Sequence, residues 1–283
     1  MLLNPLTFHT PDSLEELLKL HSSLENAKIQ AGGTFLLNSL KLLKRKGSKT
    51  PEHIISLYKV PELKGISADA KGLTIGAGTT IDEIAETPLE GHFQILHTVC
   101  KNISTQPIRN VATMGGNLTC RYTWTEMPAV LIGLRGTMIF VDENGTAEEV
   151  CPEEFFKNAA KTQKILKAVH IPADAEASVA YRRIRKSQGV DIPLLSLLIN
   201  TRIKNNQWTD TVVAVNNCTA FAQRDSKLEE FLNGSKNEAS IADEALNNLT
   251  ESIYDTRSNE YKQHIFRVSL KSAIKEIVTT HKG

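Results

Sequence analysis

The sequence predicts an α+β fold in two domains, on three observations. Up to residue 172 the chain mixes helical and strand-like patterns, whereas from residue 178 onward it places three strands before its helices. Strands followed by helices are typical of an antiparallel sheet that helices cover on one face. Between the two parts, residues 173–178 are small and polar, which indicates a boundary. We therefore expect one domain at residues 1–173 and a smaller one at 174–283.

The composition is that of a soluble globular protein, with 41% hydrophobic and 23% charged residues in a chain of 283. The 33 basic and 32 acidic residues leave a net charge of +1, which gives no long-range attraction toward nucleic acid or an anionic membrane. We find no signal peptide and no apolar run long enough to cross a bilayer. The expected location is the cytoplasm.

Cysteine and histidine usage predicts no metal centre within the chain. The four cysteines are far apart, without a CxxC pair or the spacing of an iron–sulfur or structural zinc site. The eight histidines are scattered, with no HExxH motif. If the protein carries out redox chemistry, its own side chains are not expected to carry the electrons.

The first sixty residues predict short alternating elements. Ser13 or Asp12 can cap a helix, Glu16 stands three residues after Ser13, and leucines recur at helical spacing. In chain order we expect a helix, a strand, a tight glycine loop, the start of a helix and a strand at residues 11–25, 28–31, 32–34, 36–43 and 53–57.

The next hundred residues continue the mixture. Thr79 or Thr80 is a plausible N-cap for a helix that starts at Ile81, and Asn144-Gly145 is typical of a hairpin turn. Strands are expected near residues 73–76, 137–141 and 164–172, and helices near 91–105, 129–134 and from 152. In the second domain we expect strands at 178–185, 194–202 and 208–216, and helices near 226–232, 239–253 and 260–278.

Two glycine pairs stand out, Gly32-Gly33 and Gly115-Gly116. The first follows a strand and precedes a helix, the geometry that points backbone amides and a helix dipole at a phosphate. The second follows residues 108–111, which suit either a strand or a turn. Neither matches GxGxxG or GxxxxGK[ST], so each pair alone is equally a tight turn that requires glycine. Together, two such segments suit a ligand with two adjacent phosphates, held from both sides by backbone amides.

The motifs around these pairs occur in a characteristic order. They are Ala31-Gly32-Gly33-Thr34-x-Leu36-Leu37, Ile75-Gly76-Ala77-x-Thr79-Thr80, residues 108–118, Pro128-Ala129-x-Leu131, Ile165-Leu166 before Ile171-Pro172, and Asp255-x-Arg257-Ser258-x-Glu260-Tyr261. The ordered set resembles the FAD-binding subunit of molybdenum hydroxylases, the xanthine dehydrogenase and carbon monoxide dehydrogenase family. The resemblance covers nearly the whole chain and implies a two-part PCMH-type FAD-binding domain, divided near residues 57–60, followed by a C-terminal domain of antiparallel sheet plus helices.

The resemblance also implies cofactor contacts. Two segments are expected to hold the FAD pyrophosphate: Ile29, Gln30, Ala31, Gly32, Gly33, Thr34, Phe35 and Leu36 in the first, and Ala112, Thr113, Gly115, Gly116 and Asn117 in the second. Ile103 and Leu166 match positions that pack near the adenine or the flavin. Glu126 stands where the family usually has an aspartate that hydrogen-bonds the middle of the cofactor. No catalytic side chain and no metal ligand are implied.

The chain departs from the family pattern at three of the positions or segments near the expected cofactor contacts. Phe35 replaces a common aspartate, residues 121–124 replace a blander segment that contains proline, and Arg183 stands where a lysine near the flavin is frequent. Arginine keeps the positive charge but not the geometry of lysine. Tyr122 and Trp124 suit either the lining of the flavin entrance or a buried aromatic cluster.

The resemblance implies an oxidoreductase subunit that takes electrons from a [2Fe–2S] small subunit to FAD and passes them to an acceptor such as NAD. A molybdopterin-binding large subunit would be the second partner, in a heterotrimer. Two alternatives remain open: a stand-alone flavin oxidoreductase of the same fold, and a scaffold subunit that has lost FAD.

Overall fold

The structure is a computed structural model that describes residues 4–158, 162–187, 189–254 and 259–281. Of the motif residues near the C-terminus, Asp255, Arg257 and Ser258 lie outside this part of the chain. Among the helices of the described ranges, none combines the length and the apolar character needed to cross a membrane. The cytoplasmic location stays a prediction.

A small parallel sheet forms the N-terminal part of the molecule. Its elements are β1 Thr7–His9, α1 Leu14–Ser23, β2 Ala27–Gln30, α2 Leu36–Arg45 and β3 His53–Ser56. The strand order is β1-β3-β2, and Ile29 lies opposite Ile55. Of the two candidate caps, Ser13 caps α1, since its hydroxyl accepts a hydrogen bond from the Glu16 amide at 3.3 Å. The predicted order of helix, strand, glycine loop, helix and strand is confirmed.

A five-stranded sheet follows. Its region contains β4 Ile66–Asp69, β5 Gly72–Gly76, α3 Ile81–Glu86, α4 Ile95–Asn102, α5 Gln106–Arg109, α6 Met114–Thr119, α7 Met127–Gly133, β6 Thr137–Val141, β7 Ala147–Val150, α8 Pro152–Lys157 and β8 Ile165–Pro172. The order β4-β5-β8-β6-β7 is antiparallel throughout. Apolar side chains from β5, β8, α4 and α6 form one continuous core, and burying them supplies most of the driving force for this part of the fold.

The C-terminal part is a four-stranded antiparallel sheet with helices. Its elements are β9 Ser178–Arg185, β10 Pro193–Lys204, β11 Gln207–Asn216, β12 Gln223–Arg224, α9 Ser226–Leu232, α10 Ile241–Glu244, α11 Glu251–Tyr254 and α12 Glu260–Thr280. The strand order is β12-β11-β10-β9. Phe266, Leu270 and Ile274 of α12 pack on Leu197 and Ile199 of β10. The α+β fold with a C-terminal antiparallel sheet is confirmed.

The sheet of the C-terminal part is covered on both faces, and the expectation of one covered face was wrong. The side chain of Leu198 points away from Leu197 and Ile199, because successive residues of a strand face opposite sides. It packs against the core of the preceding part, where a Cβ added to Gly133 of α7 would lie 2.4 Å from Leu198 Cδ2. Helix α7 therefore covers the second face.

The expectation of one helix over residues 239–253 was also wrong. The structure has two short helices, α10 and α11, with a 3₁₀ turn at Ala245–Asn247 between them. The buried Asp225 carboxylate explains the break, since it accepts hydrogen bonds from the Thr250 hydroxyl at 2.6 Å and the Tyr254 hydroxyl at 2.8 Å. These bonds draw the chain toward Asp225 and end the regular helix.

Three strands were not predicted, β1, β4 and β12, and β7 was implied only by the expected hairpin turn at Asn144-Gly145. The three unpredicted strands are short, and their residues are exposed or half-buried, so none shows the alternation of apolar and polar residues that marks a half-buried strand. Residues 106–109 and 114–119 are helical, although a strand or a turn was expected before the second glycine pair. Gly115 and Gly116 therefore lie in the first turn of α6 and not in a loop.

Candidate cofactor site

The first glycine pair connects β2 to α2 and leaves a run of amides without a protein acceptor. Within the described part of the chain, the N–H groups from Gly32 to Phe35 donate no hydrogen bond. Gly33 has a φ of +68°, in the left-handed region that favours glycine. A helix N-terminus with free amides attracts anions, because the amides point outward and the helix dipole is positive there. This segment therefore has the chemistry that suits a phosphate, and its expected contacts with the pyrophosphate stay a prediction.

The second glycine pair differs, because its amides already have acceptors. The Met114 amide donates to the Thr79 carbonyl at 2.9 Å and the Gly115 amide to the Ala77 carbonyl at 2.7 Å. Thr113 caps α6, since its hydroxyl accepts from the Gly116 amide at 3.1 Å. A grip by backbone amides from both sides was expected, and these bonds contradict it for residues 114–116. Two donors remain here without an acceptor among the described residues, the Thr113 amide and the side-chain amide nitrogen of Asn117.

The two segments touch, as their joint role requires. A Cβ added to Gly32 would lie 1.8 Å from the Val111 carbonyl oxygen and 2.9 Å from Ala112 Cα. A Cβ added to Gly116 would lie 3.8 Å from the Ala31 side chain. Glycine at position 32 is therefore required by the close approach of another backbone. The space beside Gly116 faces the first segment.

Residues that sequence reasoning missed hold the second segment in place. Arg109 is buried, and its guanidinium donates to Asp82 Oδ1 at 3.3 Å and to the Ile103 carbonyl at 3.2 Å. The Ile81 amide donates to the Ala112 carbonyl at 2.8 Å, which ties the start of α3 to the same segment. Arg109 belongs to a motif that the sequence analysis identified. The acceptors of its guanidinium lie in other elements, however, and cannot be inferred from spacing.

Glu126 and Arg183, both expected near the cofactor, form a buried ion pair. Arg183 Nε donates to Glu126 Oε1 at 2.8 Å, and Arg183 Nη2 donates to the Asp191 carbonyl at 2.7 Å. Burial raises the pKa of the Glu126 carboxyl, and the hydrogen bond and charge of Arg183 oppose that rise. The pair joins the start of α7 to β9. The cofactor contacts of both residues stay predictions.

Glu126 is linked to the second segment through Asn117. The Met127 amide, next to Glu126, donates to Asn117 Oδ1 at 3.3 Å. Near the ion pair, the Tyr181 hydroxyl is buried without a partner among the described residues. Burial raises the pKa of this phenol well above its ordinary value, and the Glu126 charge adds to the rise. The ion pair, Asn117 and the Tyr181 hydroxyl form a polar region between the two parts of the molecule.

Ile103 and Leu166 lie in the core of the five-stranded part, only 7% and 5% exposed. Both pack behind the second segment, and their contacts with adenine or flavin stay predictions. Cys100 is also buried there, and burial together with the Glu126 charge raises its pKa to about 12. Among the described residues no group of three or more His, Cys, Asp or Glu side chains could hold a metal ion.

The remaining predicted contacts lie at or beside the first segment. Ile29, Gln30, Ala31 and Leu36 are half-buried, whereas Thr34 and Phe35 are exposed. A Cβ added to Gly33 would lie 3.1 Å from the Gln30 side-chain nitrogen. Free amides, a close glycine approach and an unpaired Asn117 nitrogen fit a pyrophosphate, so the residues present are compatible with FAD.

The fold and these segments define a class of protein, an α+β protein that binds a phosphate-bearing cofactor between two chain segments. Residues 4–174 match the family described as the FAD binding domain in molybdopterin dehydrogenase. The chain belongs to this family, and FAD is its cofactor.

Proteins of known name are similar to this chain along most of its length. The glyceraldehyde dehydrogenase medium chain of Sulfolobus acidocaldarius is 24% identical over 275 residues, which cover 94% of this chain and 96% of the relative. The carbon monoxide dehydrogenase medium chain of Hydrogenophaga pseudoflava is 26% identical over 224 residues, 77% and 76% of the two chains. The chain is thus an FAD-binding subunit of the molybdenum hydroxylase family and an oxidoreductase flavoprotein.

Solved structures share the fold. A chain of carbon monoxide dehydrogenase from Hydrogenophaga pseudoflava superposes with a TM-score of 0.87 at 24% identity, covering 97% of this chain and 98% of that one. A chain of quinoline 2-oxidoreductase from Pseudomonas putida 86 gives a TM-score of 0.87 at 23% identity, covering 99% of each. At this identity the likeness establishes the fold.

Proposed function

We propose that this chain is the electron-transfer subunit of a molybdopterin-containing hydroxylase or dehydrogenase. It would receive electrons from a [2Fe–2S] partner subunit, hold them on FAD and pass them to an acceptor such as NAD. The observation that carries the proposal is the free amide run from Gly32 to Phe35, set directly against the second glycine segment in a chain of this family.

The residues of the chain bind and orient the cofactor. The amides of Gly32 to Phe35 and the N-terminal dipole of α2 would hold the negative charge of the pyrophosphate. The absence of a side chain at Gly116 would let the ligand lie between the two segments. Asn117 would donate its side-chain N–H to the ligand. FAD, when bound, supplies the redox chemistry, taking up electrons singly and releasing a pair.

The buried Glu126–Arg183 pair would act on the electrostatics of the site. An ion pair out of water interacts strongly with nearby charge, because the local dielectric constant is low. We propose that the pair keeps α7 and β9 in register beside the cofactor and contributes a fixed dipole there. No side chain of the chain needs to act as a nucleophile, acid or base in this function.

The relatives support the proposed partners. Two of them are named as medium chains, of glyceraldehyde dehydrogenase and of carbon monoxide dehydrogenase, and such a name denotes one chain among several. A third is named as an FAD-binding subunit of xanthine dehydrogenase. We therefore propose a molybdopterin-binding large subunit and a [2Fe–2S] small subunit as partners.

The test is to isolate the chain from its own cell with whatever binds it. We expect a flavin absorbance spectrum, co-purifying iron and molybdenum, and bleaching of the flavin band when the partners are reduced by substrate. Colourless protein that takes up no added FAD would indicate a scaffold subunit. A yellow chain that turns over a substrate without partners would indicate a stand-alone oxidoreductase.

A further inference from the structure

Three aromatic side chains from the two ends of the site form a continuous stack. The ring centroids of Phe35 and Tyr122 are 4.3 Å apart with planes tilted by 51°, and those of Tyr122 and Trp124 are 4.2 Å apart at 26°. Both separations are slightly shorter than the centroid distances of about 4.5–7 Å that are usual for attractive aromatic pairs, so the rings are in close contact. Phe35 is 38% exposed, so the stack lies at the surface of the molecule.

A tight turn presents the two rings of the second segment. The Thr125 amide and hydroxyl both donate to the Tyr122 carbonyl, at 3.2 and 2.8 Å. This bond closes residues 122–125 into a turn, and Tyr122 and Trp124 stack on the same side of it. The turn is also held from the C-terminal part, because Asn216 Nδ2 donates to the Thr125 carbonyl at 2.7 Å.

The chain before the turn is anchored as well. Arg121 has a φ of +53°, a conformation that non-glycine residues seldom adopt. Its guanidinium lies 4.1 Å from the centre of the Phe155 ring and donates to the Asn158 carbonyl. Contacts on both sides therefore position Tyr122 and Trp124, and the strained backbone at Arg121 is maintained by its surroundings.

The stack joins the two glycine segments a second time. The first junction is the backbone contact of Gly32 with Val111 and Ala112. The second is the ring contact of Phe35, which ends the free amide run, with Tyr122, which follows α6. The amide run of residues 32–35 thus has a backbone contact at one end, Gly32, and a ring contact at the other, Phe35.

We propose that Phe35, Tyr122 and Trp124 form an aromatic clasp that closes over the FAD pyrophosphate and slows its release. The proposal rests on FAD binding at the Gly32 segment, as proposed above. All three rings occupy positions where the chain departs from the family pattern. The clasp would compensate for the amides of residues 114–116, which already have acceptors within the protein.

The experiment measures FAD release from the purified holo-complex. Flavin fluorescence rises as FAD leaves, and the rate is read after dilution to a protein concentration at which released FAD does not rebind. We expect Tyr122→Ala and Phe35→Ala each to speed release by about tenfold, the factor that corresponds to losing a good aromatic contact. Tyr122→Phe keeps the ring and should release FAD at the wild-type rate.

A matched control separates the clasp from general loosening. Phe8→Ala removes another exposed aromatic ring, on the edge strand β1, and should leave the release rate unchanged. If Tyr122→Ala and Phe35→Ala release FAD at the wild-type rate, or bind it more tightly, the clasp is wrong. If the wild-type complex holds no FAD at all, the proposed function fails, and that result is distinguishable from failure of the clasp alone.

Tryptophan fluorescence gives an independent measurement. The chain has two tryptophans, Trp124 in the stack and Trp208, which is fully buried in the core of the C-terminal part. Adding FAD to the cofactor-free complex should quench the emission, and Trp124→Phe should remove most of the quenching. Unchanged quenching in Trp124→Phe would place Trp124 away from the cofactor and overturn its part in the clasp.

Discussion

The two glycine pairs have the same composition but different physical roles. At Gly32-Gly33 the amides have no acceptor in the described chain, and at Gly115-Gly116 each amide has one. The first pair therefore offers hydrogen bonds, whereas the second offers the absence of side chains. A glycine pair therefore indicates a phosphate site through its amides only when those amides have no acceptor within the protein.

The difference follows from what surrounds each pair. The first pair lies between a strand and a helix, where the helix start leaves amides exposed. The second packs against the turn after β5. A Cβ added to Gly115 would lie 2.8 Å from the Cβ of Ala77 and 2.8 Å from the carbonyl oxygen of Ala77. Dense packing makes this position intolerant of any side chain.

The largest expected effect is that of Gly32→Ala. Its Cβ would lie 1.8 Å from the Val111 carbonyl oxygen, so one of the two segments must move. We expect a loss of about 3 kcal/mol or more in the free energy of unfolding, beyond ordinary overpacking, together with loss of FAD. Urea unfolding and flavin absorbance measure the two effects.

Gly47→Ala is the matched control for Gly32→Ala. Gly47 has a φ of +67° and no atom within 4 Å of an added Cβ, so it tests backbone strain without a clash. We expect it to cost about 1–2 kcal/mol and to leave FAD bound. Equal stability losses in the two variants would show that the contact between the glycine segments is not tight.

Gly116→Val is expected to abolish FAD retention while the fold survives. The nearest side-chain atoms to an added Cβ are Thr113 Oγ1 at 3.1 Å and Ala31 Cβ at 3.8 Å, so the branched side chain points into the space between the segments. Valine has a somewhat higher helix propensity than glycine, which offsets part of its tighter packing, and the free energy of unfolding should change by less than about 1 kcal/mol. A purified variant with normal flavin absorbance would contradict a ligand position beside Gly116.

The next effect in size is that of Gly115→Ala, which tests packing rather than ligand binding. Overpacking against Ala77 should cost about 2 kcal/mol of stability. Ala77→Gly in the same chain removes one of the two close contacts and should recover part of that loss, measured as a coupling energy in a double-mutant cycle. Strictly additive effects would mean that the two residues do not share the contact.

Much of the local structure was predictable from the chain, and the role of each glycine pair was not. The Ser13 cap and the Thr80 capping box with Glu83 depend on neighbours within three residues, so spacing alone narrows each cap to one of two adjacent residues. The acceptors of the Met114 and Gly115 amides are Thr79 and Ala77, on a distant turn. Their pairing depends on tertiary register, which no local pattern contains.

The same distinction applies to the ion pair at the site. The sequence predicts that Glu126 and Arg183 both lie near the cofactor, but it does not predict that they contact each other. Their 2.8 Å contact joins positions 57 residues apart and appears only once α7 and β9 are packed together. A charged residue near a site is thus predictable from a motif, but the group that neutralises it is not.

The smallest expected effect is that of Thr113→Ala, which changes the hydrogen bonding of the second glycine pair without adding a side chain. Removing the cap of α6 should cost about 1 kcal/mol of stability, and Thr113→Ser should retain most of it. The substitution also frees the Gly116 amide, so the second pair would gain the kind of donor that the first pair has. If the second segment contributes only close approach, FAD affinity stays unchanged or rises while thermal unfolding shifts downward. A fall in FAD affinity at unchanged thermal stability would mean that the Thr113 hydroxyl itself contacts the ligand, and that the second segment binds FAD through side chains.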